Sequence, residues 1–157
     1  MINTYRYSSQ KPFVSDEEFR KAELSPGDVL EIKGSILQIT ITHPLIVQED
    51  MRKKGKKVPG LNVQALIDTG AGSSVITPRI ADELDLIHTG YQKVLSVQDE
   101  QELPVYYGFV IFPWGNGKEI PLVCCPLKEI DCLIGRDILK HCHFTYNGPD
   151  GSITICD

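Results

Sequence analysis

The chain has 157 residues, 41% of them hydrophobic and 24% charged, and a formal net charge of -5. That length fits one domain with a modest extension, and the apolar share is enough for a core. The acidic balance argues against a nucleic-acid partner, and no apolar run approaches the roughly 20 residues that a membrane span needs.

Cysteine usage narrows the setting further. Cys124, Cys125, Cys132, Cys142 and Cys156 are odd in number, clustered late, and include an adjacent pair. This is not a disulfide framework and fits a reducing compartment. The first residues have no apolar signal-peptide core, so a soluble cytoplasmic protein with no membrane partner is expected.

Taken in chain order, residues 1–30 read as a polar extension and residues 31–157 as the main domain. Ser15 with Glu18 three residues on is a capping-box pattern, which predicts a short helix from about Asp16 to Leu24, stopped by Pro26 and Gly27. From Gly34 to Val47 the chain alternates and is rich in β-branched residues, which predicts a strand. The basic stretch from Met51 to Gly60 then reads as the tip of a long hairpin, with Leu61 to Ile67 as its second strand. The RKKGKK run, Arg52 to Lys57, has no aromatic residues beside it and is read as a solvated tip, not a nucleic-acid site.

Arg79 to Leu86 predicts a turn or two of helix. Further strands follow near Lys93–Val97, Leu103–Pro113, Lys118–Cys125 and Asp131–Gly135, with an Asn116-Gly117 hairpin signal between two of them. Arg136 to His141 predicts a short helix, and Phe144 to Ile155 a closing hairpin turned at Asn147-Gly148 and Asp150-Gly151. Many short strands with few, short helices argue for an all-β, barrel-like domain.

The chemistry concentrates in ALIDTGAGSSVI, Ala65 to Ile76. An acid, Asp68, leaves an apolar strand and enters a run of small residues. A buried strand fixes the carboxylate's position. Thr69 has a hydroxyl able to brace the loop, and Gly70 removes bulk so that a substrate or another backbone can approach. Ala71, Gly72, Ser73 and Ser74 keep the surroundings small. CLIGRD, Cys132 to Asp137, echoes this pattern of apolar residues before a glycine turn.

Together, LIDTGAGSSVI and CLIGRDIL resemble the retropepsin-like family of aspartic proteases, which includes the retroviral proteases. Asp68, Thr69, Gly70 and Ala71 match the family's catalytic loop. Leu133, Ile134, Gly135, Arg136 and Asp137 match its second motif. The resemblance spans about Lys33 to Asp157. It implies an all-β, closed β-barrel acid-protease fold, with one short helix after the Gly-Arg-Asp motif and a short helical extension in front.

The resemblance implies an aspartic endopeptidase with no metal and no cofactor, acting on a peptide or protein substrate. Such chemistry needs two carboxylates, one ionised to take a proton from water and one protonated to donate to the scissile carbonyl. No other aspartate here is followed by Thr-Gly or Ser-Gly. The expected answer is a homodimer with one Asp68 from each subunit on the two-fold axis. A retropepsin-like dimer that binds proteins without cleaving them is the alternative, since fold alone does not prove catalysis.

Three departures from the family follow. The flap region, roughly Lys93 to Val110, has its tip at Val97, Gln98, Asp99, Glu100, Gln101, Glu102 and Leu103, acidic and without glycine. Gly72 stands where retroviral members carry an acid that pairs with the motif's arginine, so Arg136 needs another partner: Asp137, Asp131 or a backbone carbonyl. Ala71 stands where many two-lobed relatives have serine, which removes a donor to the carboxylate and keeps the dyad protonated to higher pH. A zinc site at His141-Cys142-His143 is not expected, because the nearby cysteines lack ligand spacing.

Overall fold

The computed structural model describes residues 2–6, 24–95 and 100–156. In chain order its elements are β1 (Ile2–Arg6), α1 (Pro26–Lys33), β2 (Ile36–Thr42), α2 (Leu45–Lys53), β3 (Gly60–Ile67), β4 (Val75–Ile76) and α3 (Pro78–Glu83). There follow β5 (Ile87–Leu95), β6 (Glu100–Ile111), β7 (Gly117–Cys124), β8 (Cys132–Ile134), α4 (Arg136–Leu139), β9 (His143–Asn147) and β10 (Ser152–Cys156). The architecture is mostly β with a few short helices. No helix among the described residues is long and apolar enough to cross a membrane.

The chain divides into two compact units, Met1–Ile36 with Leu139–Asp157, and Leu37–Ile138. The first carries a three-stranded antiparallel sheet in the order β1-β10-β9. Ile153 and Ile155 of β10 are fully buried there. The closing hairpin expected at Asn147 to Gly151 joins β9 to β10.

Helix α1 corrects a sequence expectation. Pro26, read from the sequence only as a stop, begins a helix. Ser25 is its N-cap: the Ser25 hydroxyl accepts from the Asp28 N–H at 3.2 Å, and the Asp28 carboxylate accepts from the Ser25 N–H at 2.8 Å. Proline at the first helical position costs nothing, because that N–H has no helical partner. Gly34, at φ 73°, closes the helix by donating to the Leu30 carbonyl at 2.9 Å. The helix expected at Asp16 to Leu24 lies outside the described residues except for Leu24. The boundary drawn at residue 30 falls within α1.

The second unit is built on a seven-stranded sheet in the order β2-β3-β8-β4-β7-β6-β5, and β2 also pairs with β6. Thr40 stands opposite Ile111 and Thr42 opposite Phe109 in that extra pairing. β3 and β8 run parallel, and the two-residue β4 sits between β8 and β7. Alternation sends Leu37, Ile39 and Ile41 of β2 and Val63, Ala65 and Ile67 of β3 inward. Ile76, Ile80, Leu122, Ile134 and Ile138 are among the side chains that join them in the core. Each of these leucines, isoleucines and valines contributes about 1.5–3 kcal/mol by leaving water.

The long hairpin expected between residues 34 and 67 is also corrected. The strand stops at Thr42, and Leu45 to Lys53 form the helix α2. Pro44 cannot donate to a ladder, so it breaks the strand and stands at the helix start. The Leu45 N–H, one of the helix's orphan donors, is satisfied by the Glu119 carboxylate at 2.6 Å. Gln48 donates to the His43 carbonyl at 2.7 Å and accepts from Arg52 at 2.8 Å.

Candidate active site

Parallel pairing of β3 and β8 brings the two sequence motifs together. Ala65 stands opposite Cys132, Leu66 opposite Leu133 and Ile67 opposite Ile134. The ladder runs one step further, with the Asp68 N–H donating to the Ile134 carbonyl at 2.9 Å. Both strands then turn. The rigid pair thereby fixes where the carboxylate begins.

The Asp68 side chain folds back on its own loop. Its Oδ1 accepts from the Gly70 N–H at 2.8 Å and from the Ala71 N–H at 3.2 Å. This is an Asx-type turn, which holds one oxygen and leaves Oδ2 without a hydrogen-bond partner among the described residues. Asp68 is half-buried, while Thr69 and Gly70 are exposed. The Thr69 hydroxyl makes no hydrogen bond to any described residue, so bracing comes from elsewhere.

Arg136 supplies it. Its Nη1 donates to the Thr69 and Gly70 carbonyls, both at 2.8 Å, and its backbone N–H donates to the Ala71 carbonyl at 2.9 Å. Of the partners open to it from sequence, the backbone carbonyls are the ones used. Asp131 instead takes Arg79 at 2.6 Å, and Asp137 is engaged by Ser74. A Cβ placed on Gly72 would lie 3.7 Å from Arg136 Nη2, so a side chain here would meet the guanidinium.

A second clamp lies underneath. Ser74 is fully buried, and its N–H and hydroxyl donate to the two oxygens of Asp137 at 2.8 and 2.7 Å. The same hydroxyl accepts from the Gly135 N–H at 3.0 Å. The Asp137 carboxylate also accepts from the Ile138 N–H at 2.9 Å, within α4. Gly135 is obligatory for this approach, because a Cβ would fall 2.6 Å from the Ser73 carbonyl carbon and oxygen.

Beside Asp68 runs an apolar row. Leu66, two residues before Asp68, shares its strand face, and Leu133 and Val75 stand in register with it across β8 and β4. All three are half-buried, whereas Ile134 is fully buried beneath. The structure thus separates Leu133, which lines the open side, from Ile134, which is core. Leu66 and Val75 were not singled out in the sequence, and Ser74 was named only as a small neighbour, not as a clamp. Strand alternation around Asp68 was the signal for the first two.

The flap expectation lands partly on described ground. β5 and β6 form a hairpin whose pairing reaches Leu95 opposite Glu100. Glu100, Gln101 and Glu102 are exposed on β6 and Leu103 is half-buried, while Val97, Gln98 and Asp99 lie outside the described residues. Lys93 pairs with Glu100 at 3.3 Å on the surface. Gln92 of β5 donates to the Ser73 hydroxyl at 3.0 Å, which ties this hairpin to the Asp68 loop.

The sequence matches no family model and no curated protein. Solved structures give likenesses. A retropepsin-like aspartic protease from Rickettsia conorii aligns at a TM-score of 0.47 with 16% identity, over 77% of this chain and 91% of that one. The retroviral protease-like domain of Ddi1 from Leishmania major gives 0.44 and 17%, over 72% and 82%. The simian foamy virus protease gives 0.43 and 18%, over 68% and 92%. The chain is similar to retropepsin-like proteases. The chemistry has to be argued from the loop itself.

The thiols stand apart from that chemistry. None of the five cysteines, all of them among the described residues, forms a disulfide. Burial pushes the Cys124, Cys125 and Cys132 thiols up, which disfavours the nucleophilic thiolate at neutral pH. Among the described residues no three His, Cys, Asp or Glu side chains are grouped to hold a metal.

Proposed function

We propose that this chain is an aspartic endopeptidase, active as a homodimer in which Asp68 of each subunit meets its copy across the two-fold axis. The observation that carries the reading is the Asp68 carboxylate itself. One oxygen is pinned by the Gly70 and Ala71 N–H groups, and the other has no partner among the described residues. Within the chain Asp137 is spent on Ser74 and Asp131 on Arg79. A second copy is the natural source of the second acid.

Two carboxylates about 3 Å apart cannot both ionise readily, so the pair shares one proton and titrates as a unit. The ionised member takes a proton from water, and the protonated member donates to the scissile carbonyl oxygen as the tetrahedral intermediate forms. Arg136 and the Ser74–Asp137 clamp act as positioning groups for this loop. Leu66, Val75 and Leu133 offer an apolar wall beside it, suited to an aliphatic or aromatic side chain next to the cleaved bond. The β5–β6 hairpin is read as the flap. The β2–β6 pairing supports the closed-barrel reading of the sheet.

The test compares wild type with Asp68→Asn on a mixed peptide library, alongside sedimentation of both. Cleavage by wild type only, with both sedimenting as dimers, supports the proposal. Cleavage that survives the substitution, or activity in a purely monomeric sample, refutes it. No cleavage by either dimer would leave a non-proteolytic binding module as the better account.

A further inference from the structure

The second unit carries a groove that the peptidase reading does not use. It measures about 500 Å³ and is lined by Pro44, Leu45, Ile46 and Glu49 at the start of α2, with Ile87, Thr89, Tyr107 and Glu119 from β5, β6 and β7. Three of its lining residues are large hydrophobics left open to solvent: Leu45, Ile46 and Ile87 are 45%, 73% and 49% exposed. Exposed aliphatics gathered along one groove mark a binding surface more often than isolated ones do.

Its place in the fold separates it from Asp68. Thr42, two residues before Pro44, donates to the Pro59 carbonyl at the entry to β3. Asp68 follows the far end of that eight-residue strand. At about 3.3 Å per residue, the two ends lie roughly 25 Å apart.

Charge identifies the occupant. Glu49 and Glu119 both line the groove, and no Lys, Arg or His does. Neither glutamate joins any of the ion pairs formed among the described residues. Glu119 is positioned by accepting the Leu45 N–H through Oε1, so this carboxylate is fixed at the groove wall, with acceptor capacity left over. An aliphatic lining with two carboxylates that form no ion pair among the described residues complements one cation flanked by branched aliphatic side chains.

We propose that this groove docks a partner polypeptide through a short segment in which a Lys or Arg lies between aliphatic residues. The aliphatic side chains pack on Leu45, Ile46 and Ile87, and the cation is held by Glu49 and Glu119. The site is independent of whether Asp68 cleaves anything. The chain's net negative charge favours encounter with such a segment.

The experiment uses the full chain as Asp68→Asn, isotopically labelled, with backbone amide shifts followed during peptide titration. The probes are blocked peptides with the cores Leu-Lys-Leu, Leu-Glu-Leu and Ser-Lys-Ser. The expected result is saturable shifts at Leu45, Ile46, Ile87 and Tyr107 with Leu-Lys-Leu, and binding at least about fivefold weaker for each of the other two. Ile46→Ser and Glu49→Gln, both at exposed positions, are expected to weaken Leu-Lys-Leu binding severalfold while leaving the thermal midpoint unchanged. Equal binding of all three peptides overturns the proposal. So do shifts confined to the Asp68 loop. Concentration-dependent shifts at the groove residues in peptide-free protein also overturn it, because a second copy is then the occupant.

Discussion

Replacing Ser74 with alanine tests whether the Asp68 loop is clamped from below as described. The substitution removes a hydroxyl that donates to Asp137 at 2.7 Å and accepts from the Gly135 N–H at 3.0 Å. A hydrogen bond to a charged group contributes about 1.5–3 kcal/mol, and a buried N–H left without an acceptor costs about 1–3 kcal/mol. These two losses share one atom and do not add fully, so about 3 kcal/mol is expected. For a chain of this length that corresponds to roughly 6–12 °C in Tm. The neighbouring hydroxyl is the control: Ser73 is half-buried and accepts one bond, from Gln92, so Ser73→Ala should cost less than about 1 kcal/mol. Urea unfolding followed by circular dichroism measures both. A double-mutant cycle with Asp137→Asn should return a coupling above about 1 kcal/mol. If Ser74→Ala lies within about 0.5 kcal/mol of wild type, or is no worse than Ser73→Ala, the clamp does not hold the loop.

Other expectations concern the same loop and one buried imidazole. Ala71→Ser supplies a hydroxyl next to the Asp68 carboxylate and should move the pH optimum of cleavage downward; an unchanged or raised optimum in the rate profile counts against the role given to Ala71. Gly72→Asp puts an acid within reach of Arg136 Nη2. It should raise the thermal midpoint by an amount worth up to about 1 kcal/mol at low salt, fading as salt is added; a midpoint insensitive to salt would deny the ion pair. His43 is 4% exposed with Nδ1 unpartnered among the described residues, and burial lowers its pKa from the usual 6.5, opposed by the Asp85 charge. A lowered folded-state pKa means the unfolded chain binds more protons just below pH 6.5. Stability is therefore full above that pH and is lost as pH falls through the window beneath it. His43→Gln should flatten the fall in urea midpoint between neutral and mildly acidic pH, and an identical slope in both proteins would remove His43 as its source.

The sharp turn of small residues after Asp68 was legible, but the brace expected from the Thr69 hydroxyl is not what holds it, although the actual cause is local. The carboxylate closes on N–H groups two and three residues ahead, and an Asp before small residues signals that turn directly. The parallel pairing of the two motifs was not legible, since nothing within either stretch says that β3 and β8 lie side by side. Helix α2 was missed because Leu45, Ile46 and Val47 have strand character, and the group that caps them, Glu119, is 74 residues away. Arg136 shows the same limit. Sequence offered two acids and the backbone as partners, and only the folded loop presents the Thr69 and Gly70 carbonyls together. Pro26 was a different kind of miss. Ser25 and Asp28 around it spelled a helix start, and proline was taken for a stop.

The clamps that reach the Asp68 loop from Arg136 and Asp137 come from 63 to 67 residues further along the chain than the groups they hold. A nascent chain leaving the ribosome therefore exposes the Asp68 loop long before it owns the groups that hold it. At about 5–20 residues per second the delay is several seconds. During that interval the carboxylate sits on an unbraced loop, and contacts of such wide sequence separation are among the slower ones to form. Synthesis order thus withholds the organised site until nearly the whole second unit exists, so a truncated product ending before Ile134 would carry the Asp-Thr-Gly sequence without its geometry.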